Sequence, residues 1–232
     1  AGNLVGRLEI TNISPTIDSI YNSSNVNGAR TGGLVAIQSS AGRIFGSYAQ
    51  GQTTDLTKIG RTIYGGIMAY GSVGGLVHSN SGDISNSYTN LVLSGSNGMG
   101  GFVYENLGFA QIKTSYSMST VDTSGLMNGV FIGLDTEGNL LDNSNATVEN
   151  CYYLDEKDDK GQILIKNVDE KASGIFTESW IDASASSFEG FVVGDENNNS
   201  TWFFDKNNPI LGPQLRLANN VYKSIRSSYD GY

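Results

Sequence analysis

Gly74-Gly75-Leu76-Val77-His78-Ser79-Asn80-Ser81-Gly82-Asp83-Ile84-Ser85-Asn86-Ser87-Tyr88-Thr89 is a stretch whose parts recur on both sides of it. A glycine pair leads into two apolar residues, a polar loop holds another glycine, and an apolar residue is followed four places later by tyrosine. The closing half returns as Ile17/Tyr21, Ile44/Tyr48, Ile84/Tyr88, Ile112/Tyr116 and Val148/Tyr152, with Ser19, Gly46, Asn86, Thr114 and Asn150 midway. The opening half returns as Gly2-Asn3-Leu4-Val5-Gly6, Gly32-Gly33-Leu34-Val35, Gly100-Gly101-Phe102-Val103 and Asn128-Gly129-Val130-Phe131. Self-similarity at a period of roughly 25–40 residues marks an array in which each unit buries its apolar face against its neighbours.

Within Ile84-Ser85-Asn86-Ser87-Tyr88 the period-2 pattern puts Ile, Asn and Tyr on one side and both serines on the other, as in a short strand. Tandem units place equivalent strands side by side in parallel register. The expected fold is therefore all-β, a solenoid with files of Leu, Val and Ile inside, rising about 4.8 Å per unit. Each buried aliphatic side chain contributes on the order of 1.5–3 kcal/mol. The glycine pairs suit corners that need positive φ or close approach of neighbouring units. Units one and two fill residues 1–51. The apolar pair and the tyrosine are close together in units two to four and further apart in units one and five, so the extra residues belong to loops.

The chain of 232 residues is long enough to bury a core without metal or disulfide help. Thirty glycines, three prolines and abundant Ser, Thr and Asn favour strands and turns over helices. A net charge of −9 removes the attraction to phosphate that nucleic-acid binding relies on. No apolar run approaches the length of a membrane-spanning helix, and the first residues lack a charged-then-apolar signal pattern. The single Cys151 occupies the slot that Ser47, Ser87 and Ser115 fill elsewhere, and reads as a small buried residue. Residue 1 falls just before a repeat, which suggests a monomeric piece of a longer chain.

The clearest departure from the repeat lies between Gly51 and Gly74, and it reads as an insertion projecting from a corner of the solenoid. Loops on rigid scaffolds often carry recognition. Lys58, Arg61, Tyr64 and Tyr70 are the candidate ligand-binding residues, for a glycan or protein surface; in the alternative, residues 63–70 pack as an extra strand pair with no ligand. Residues 107–111 and 135–145 read as further loops. The charged run 155–161 reads as a solvated linker, since Asp155, Asp158 and Asp159 match no calcium-loop spacing. From Gln162 the repeat is gone and aromatics gather, among them Phe176, Trp180, Phe188, Phe191, Trp202, Phe203 and Phe204. A β-solenoid leaves its last unit open, so residues 162–217 read as a cap over that end or a small appended subdomain, with a short helical turn at Glu178-Ser179-Trp180. The organisation is thus a repeat array over 1–154, a linker and cap over 155–217, and a polar tail over 218–232.

Signals of chemistry are sparse. His78 is the only histidine, so no multi-histidine metal site is expected, and its place after Leu76-Val77 reads as a corner or surface position. Asp83 and Glu105 lie in neighbouring units but at different places in the repeat, so nothing brings them to the roughly 5–9.5 Å separation of a glycosidase carboxylate pair. The glycines sit at repeat corners and not in a strand-to-helix phosphate loop. Neither catalytic residues nor a cofactor is expected.

The repeat resembles the GLUG motif of large secreted bacterial exoproteins, including filamentous haemagglutinin-like adhesins of two-partner secretion. Gly75-Leu76-Val77 and Asn86-Ser87-Tyr88 carry the resemblance most closely, and Asn150-Cys151-Tyr152-Tyr153-Leu154, with Trp202 and Pro209-Ile210-Leu211, is similar to how such arrays close. Ser228-Tyr229-Asp230-Gly231 resembles the start of the Tyr-Asp-Gly modules that follow some of them. The resemblance implies a right-handed parallel β-helix displayed outside a Gram-negative cell, a non-enzymatic adhesin segment meeting host or cell-surface glycan or glycoprotein. Ala36 and His78 depart from it, standing where many copies have glycine, as does unit five, which lacks the Gly-Leu pair. A purely structural spacer is the second reading, and a polysaccharide-cleaving enzyme the third.

Overall fold

The computed structural model describes residues 5–8, 12–13, 24–26, 30–50, 52–53, 63–64, 66–69, 71–121, 127–155, 172–176, 185–194, 200–204 and 212–215. These residues are all-β apart from turns and one 3-10 turn, Ala185–Ser187. Five sheets are parallel throughout, and each takes one strand from successive repeats. In chain order the glycine sheet holds Arg30–Gly32, Ser72–Gly74, Met99–Gly100 and Asn128–Gly129. The valine sheet holds Val5–Leu8, Val35–Gln38, Val77–Asn80 and Val103–Asn106. The isoleucine sheet holds Asn12–Ile13, Arg43–Phe45, Asp83–Ser85, Gln111–Lys113 and Thr147–Glu149. The tyrosine sheet holds Tyr48–Gln50, Tyr88–Asn90, Tyr116–Ser117, Tyr152–Asp155 and Ser173–Phe176; a last sheet holds Ser24–Val26, Gly66–Ala69, Val92–Gly95 and Thr120–Val121.

Register keeps like beside like. Val35, Val77 and Val103 stand opposite one another, and so do Ile44, Ile84, Ile112 and Val148. Leu34, Leu76, Phe102 and Phe131 are fully buried in the main core, where the Phe102 and Phe131 rings stack with centroids 4.8 Å apart. The tyrosines form a second file: Tyr48 lies 4.8 Å from Tyr88 with planes 1° apart, and Tyr88 lies 5.0 Å from Tyr116 at 6°.

The apolar-to-tyrosine segment is not one strand. Asn86, Thr114 and Asn150 have φ of 48°, 49° and 52°, and Gly46 has 58°. This left-handed residue bends the chain between two sheets, so Ile84 joins the main core while Tyr88 joins the tyrosine cluster. Glycine and asparagine tolerate that conformation best, which explains Gly46, Asn86 and Asn150.

Register also shifts two alignments. Ile13, not Ile17, stands opposite Ile44; Ile17 and Tyr21 lie outside the described residues. The interval from Val5 to Ile13 then falls between those of Val77 to Ile84 and Val35 to Ile44, so repeat one needs no extra loop there. In repeat five Gly129 pairs with Gly100, which moves the alignment by one: Val130 takes the second glycine slot, Phe131 stacks on Phe102, and Ile132 bridges Val103.

That offset has a steric cause. A Cβ on the first glycine of a pair (Gly32, Gly74, Gly100 or Gly129) would strike a carbonyl of its own repeat, that of Val35, Val77, Val103 or Ile132. A Cβ on the second (Gly33, Gly75 or Gly101) would strike the carbonyl of the equivalent residue one repeat on, Gly75, Gly101 or Val130. Among the described residues, repeat five supplies the last strand of the glycine sheet. Its first glycine is still required by its own turn, whereas no strand among the described residues follows the second slot, which holds Val130, 4% exposed.

The aromatic segment lies along the side of the array. Val193–Gly194, Trp202–Phe204 and Pro213–Leu215 form a small mixed sheet, with its first pair parallel and its second antiparallel. Trp202 is fully buried, with its ring centroid 6.3 Å from Tyr88 and 5.7 Å from Tyr116, and Phe188 lies 5.1 Å from Tyr152. Tyr116 Oη donates to the Pro213 carbonyl at 2.7 Å, and Trp202 Nε1 donates to Asn86 Oδ1 at 3.1 Å. These aromatics cover the tyrosine file over three repeats, because that file faces away from the main core. Among the described residues, Ser173–Phe176 extends the array, as a parallel strand beside Tyr152–Asp155. The helical turn expected at Glu178-Ser179-Trp180 and the tail lie outside the described residues.

Candidate functional site

The corner after the tyrosine strands differs most between repeats. Repeat three crosses from Tyr88–Asn90 to Val92–Gly95 through Leu91 alone, and repeat four from Tyr116–Ser117 to Thr120–Val121 through Met118 and Ser119. Repeat two spends residues 51–65 on the same crossing, and within them Gln52–Thr53 pairs antiparallel with Ile63–Tyr64. Register is undisturbed on either side: Tyr48 faces Tyr88 before the excursion, and Ile67 faces Leu93 after it. The insertion is therefore shorter than its sequence suggests. Gly66–Ala69 and Ser72–Gly74 are regular members of their sheets, with Ile67 buried in the core.

Of the four candidate ligand-binding residues, Tyr64 lies on the second strand of this hairpin. Lys58 and Arg61 fall between the two hairpin strands in sequence, and Tyr70 falls between Gly66–Ala69 and Ser72–Gly74; all three lie outside the described residues. Tyr70 is thus separated from the hairpin by a strand of the array.

His78 is not at the surface. It is 1% exposed, on Val77–Asn80 beside the Tyr104 ring. Its Nε2 lies 2.6 Å from Ser72 Oγ and its Nδ1 2.7 Å from Ser79 Oγ, and Ser79 Oγ donates to Glu105 Oε2 at 2.7 Å. The Ser79 proton is committed to a carboxylate, so Nδ1–H donates to Ser79 and Nε2 accepts from Ser72. Burial, reinforced by Arg30, lowers the His78 pKa to about 4. A neutral, enclosed imidazole with its tautomer fixed ties the glycine sheet to the valine sheet and repeat three to repeat four. It is too weak a base, and too enclosed, to activate a nucleophile for an outside substrate. Ser72 and Ser79 carry no sequence signal, since their spacing to His78 follows no repeat rule.

A second polar file runs beside it. Gln38, Asn80 and Asn106 stand in register three residues after the repeat valine and are fully buried. Asn80 Nδ2 donates to Asn106 Oδ1 at 2.8 Å, and Asn106 Nδ2 to Asp142 Oδ1 at 2.7 Å. Gln38 Nε2 donates instead to the carbonyls of Gly42 and Asp83, so the side-chain relay runs through Asn80, Asn106 and Asp142 and offsets the cost of burying those two amides. Aligning the repeats on their valines would have exposed this file in the sequence.

The carboxylates do not converge. Asp83 is on the isoleucine sheet, 3.7 Å from Arg43, while Glu105 is on the valine sheet, tied to Ser79. Among the described residues no three His, Cys, Asp or Glu side chains gather as metal ligands, and no helix is long and apolar enough to cross a membrane. Cys151 is buried in the main core. Of the charged run 155–161, only Asp155 lies within the described residues. Comparison with protein-family models, curated proteins and solved structures returned no match.

Proposed function

We propose that the chain is a non-enzymatic segment of a secreted or surface-displayed bacterial adhesin. Its repeats coil into a right-handed parallel β-helix of the GLUG type, which presents loops from its corners to a host or cell-surface glycan or glycoprotein. One observation carries this reading: residues 51–65 leave and rejoin the array with register intact on both sides. A scaffold that accepts a long excursion at one corner without disturbing its neighbours is built for presentation. Parallel register through successive repeats supports the β-helix, and the separation of Asp83 from Glu105 favours display over hydrolysis.

The test replaces residues 51–65 by a single leucine, the crossing used in repeat three. Wild type and variant are compared on arrays of host glycans and glycoproteins, with circular dichroism to confirm that the β signature persists. Binding should fall at least tenfold in a variant that still folds. Undiminished binding would remove the hairpin from the function, and a wild-type chain inert on every surface would favour the spacer.

A further inference from the structure

The His78 relay belongs to one repeat, and the array does not need it. Opposite Ser72 in repeat two stands Arg30. Opposite His78 and Ser79 stand Ala36 and Ile37 in repeat two, and Tyr104 and Glu105 in repeat four. Those repeats keep the same register with neither the serines nor the imidazole, so packing of the array does not call for them.

The relay ends on a peptide bond. Ser72 opens the strand Ser72–Gly74, directly after the bend at Gly71. The Gly71 carbonyl accepts from the Asn97 N–H of the next repeat at 3.3 Å. That bond runs along the sheet, whereas a strand side chain stands roughly perpendicular to it. Ser72 Oγ thus stands off the plane of the carbonyl before it, whose carbon it reaches through a five-membered ring. Its proton is directed at His78 Nε2, 2.6 Å away, while Nδ1 is held by Ser79 and Ser79 by Glu105. A hydroxyl, a base, the groups that orient the base and a donor on the target oxygen therefore meet at Gly71–Ser72, which are the roles acyl transfer requires.

The limits that bar an outside substrate do not apply to this bond. It needs no entry, and it is held at the effective concentration of an intramolecular reaction. An imidazole with a pKa of about 4 is in its accepting form at neutral pH. Its weakness as a base makes the step slow, which suffices for an event that happens once per chain.

We propose that the chain cleaves itself between Gly71 and Ser72. Ser72 Oγ adds to the Gly71 carbonyl carbon as His78 Nε2 takes its proton, and the Asn97 N–H stabilises the oxyanion. The C–N bond then breaks; its electron pair stays on the Ser72 nitrogen, which takes the proton from His78 and leaves Gly71 as an ester on Ser72 Oγ. Water hydrolyses the ester to a Gly71 carboxylic acid and a free Ser72 hydroxyl, with Ser72 as a new amino terminus. Ser79 and Glu105 act through His78 as positioning residues. The two pieces stay joined by pairing across the nick: Gly66–Ala69 with Val92–Gly95, and Ser72–Gly74 with Arg30–Gly32. This activity is independent of the adhesive reading.

The experiment incubates the full 232-residue chain at neutral pH, with and without neutral hydroxylamine, and follows it by denaturing electrophoresis and intact mass. Circular dichroism checks the fold of each variant. Fragments 1–71 and 72–232 should accumulate, run together under native conditions and separate on denaturation, and hydroxylamine should hasten them by opening the ester. Ser72→Ala should abolish cleavage, and His78→Gln should slow it about a hundredfold or more. Ser79→Ala should slow it and Ser79→Thr restore it, a rescue that a merely structural tie would not show in the rate. Ser72→Cys preserves the shape of the site, and its thioester should open faster in hydroxylamine than the wild-type ester. A folded wild-type chain that stays intact, cleavage at another bond, or cleavage at Gly71 that survives Ser72→Ala would overturn the proposal. Cleavage seen only with hydroxylamine would stop the reaction at the ester and overturn the nick. Each of these outcomes leaves the glycan and glycoprotein arrays to decide the adhesive reading separately.

Discussion

The glycine junction and the corner after the tyrosine strands belong to the same repeats and follow opposite rules. At the junction the interval from first glycine to repeat valine is the same in Gly32 to Val35, Gly74 to Val77 and Gly100 to Val103, and Gly129 to Ile132 keeps it. At the tyrosine corner the crossing runs from Leu91 alone to residues 51–65. The difference lies in what the backbone meets. At the junction, carbonyls occupy the space of a Cβ, so length and residue are both fixed. At the corner the crossing changes length without moving the register on either side, and additions cost little more than loop-closure entropy, which grows slowly with length.

Putting alanine into one slot of two different repeats breaks or upholds this account most directly. At Gly75 the new methyl meets the carbonyl of Gly101, and neither backbone is free to move, so the loss should be about 3 kcal/mol or more. For a chain of this size that lowers Tm by about 6–12 °C. At Val130 an alanine keeps the Cβ already present and removes two methyl groups, for about 1.5 kcal/mol. Thermal unfolding of the two variants reads the contrast; equal shifts in Tm would mean that the carbonyl does not set the rule.

The junction also holds an acid-sensitive contact. His78 has a folded pKa of about 4 against about 6.5 in the unfolded chain. The unfolded state therefore binds the proton more readily, and stability present above pH 6.5 is lost as pH falls towards 4. The loss approaches about 3 kcal/mol by the lower end. Protonation removes the acceptor at Nε2 that Ser72 uses and leaves a cation in a closed space. Urea unfolding at pH 7.0 and 4.5 should show the loss in wild type, and much less of it in His78→Leu, whose stability is lower at both values. A pH dependence unchanged by that substitution would assign it to carboxylates elsewhere.

The array was legible because a repeated sequence reports its own neighbours. The valine, isoleucine and tyrosine files follow from aligning the copies, and so does parallel pairing. What escaped was set by contacts between repeats or by single dihedral angles. Ile17, not Ile13, precedes a tyrosine by four, so the spacing points to Ile17 and only pairing to Ile44 identifies Ile13. The offset at Val130 is hidden in the sequence because the two members of a glycine pair answer to different neighbours. Alternation in Ile84-Ser85-Asn86-Ser87-Tyr88 implied one flat strand; Asn86 at positive φ makes it two, and sends the tyrosine file outward to meet Trp202. The His78 relay was illegible for another reason: it joins Ser72 and Glu105 from different sheets and repeats. At the hairpin corner the sequence located the departure and overran its end, because Gly66–Ala69 carries strand residues without the repeat's tyrosine or glycine pair.

The smallest effect tests the bend that turns the tyrosines out. Four residues occupy it at positive φ, and Thr114 alone is β-branched. Its backbone N–H still donates to the Glu149 carbonyl at 3.0 Å, as Asn86 does to Lys113 and Gly46 to Ser85, so pairing between repeats holds threonine in a conformation it disfavours. Thr114→Asn should relieve that strain and raise stability by about 1 kcal/mol, or about 2–4 °C in Tm. Thr114→Gly should gain less, because glycine's greater freedom in the unfolded chain offsets part of the relief. Asn86→Thr should cost about as much as Thr114→Asn gains, and more if the bond from Trp202 Nε1 to Asn86 Oδ1 goes with it. If instead Thr114→Asn lowers Tm, the bend is governed by side-chain contacts and not by backbone preference, and the rule would have to be sought in what each residue touches.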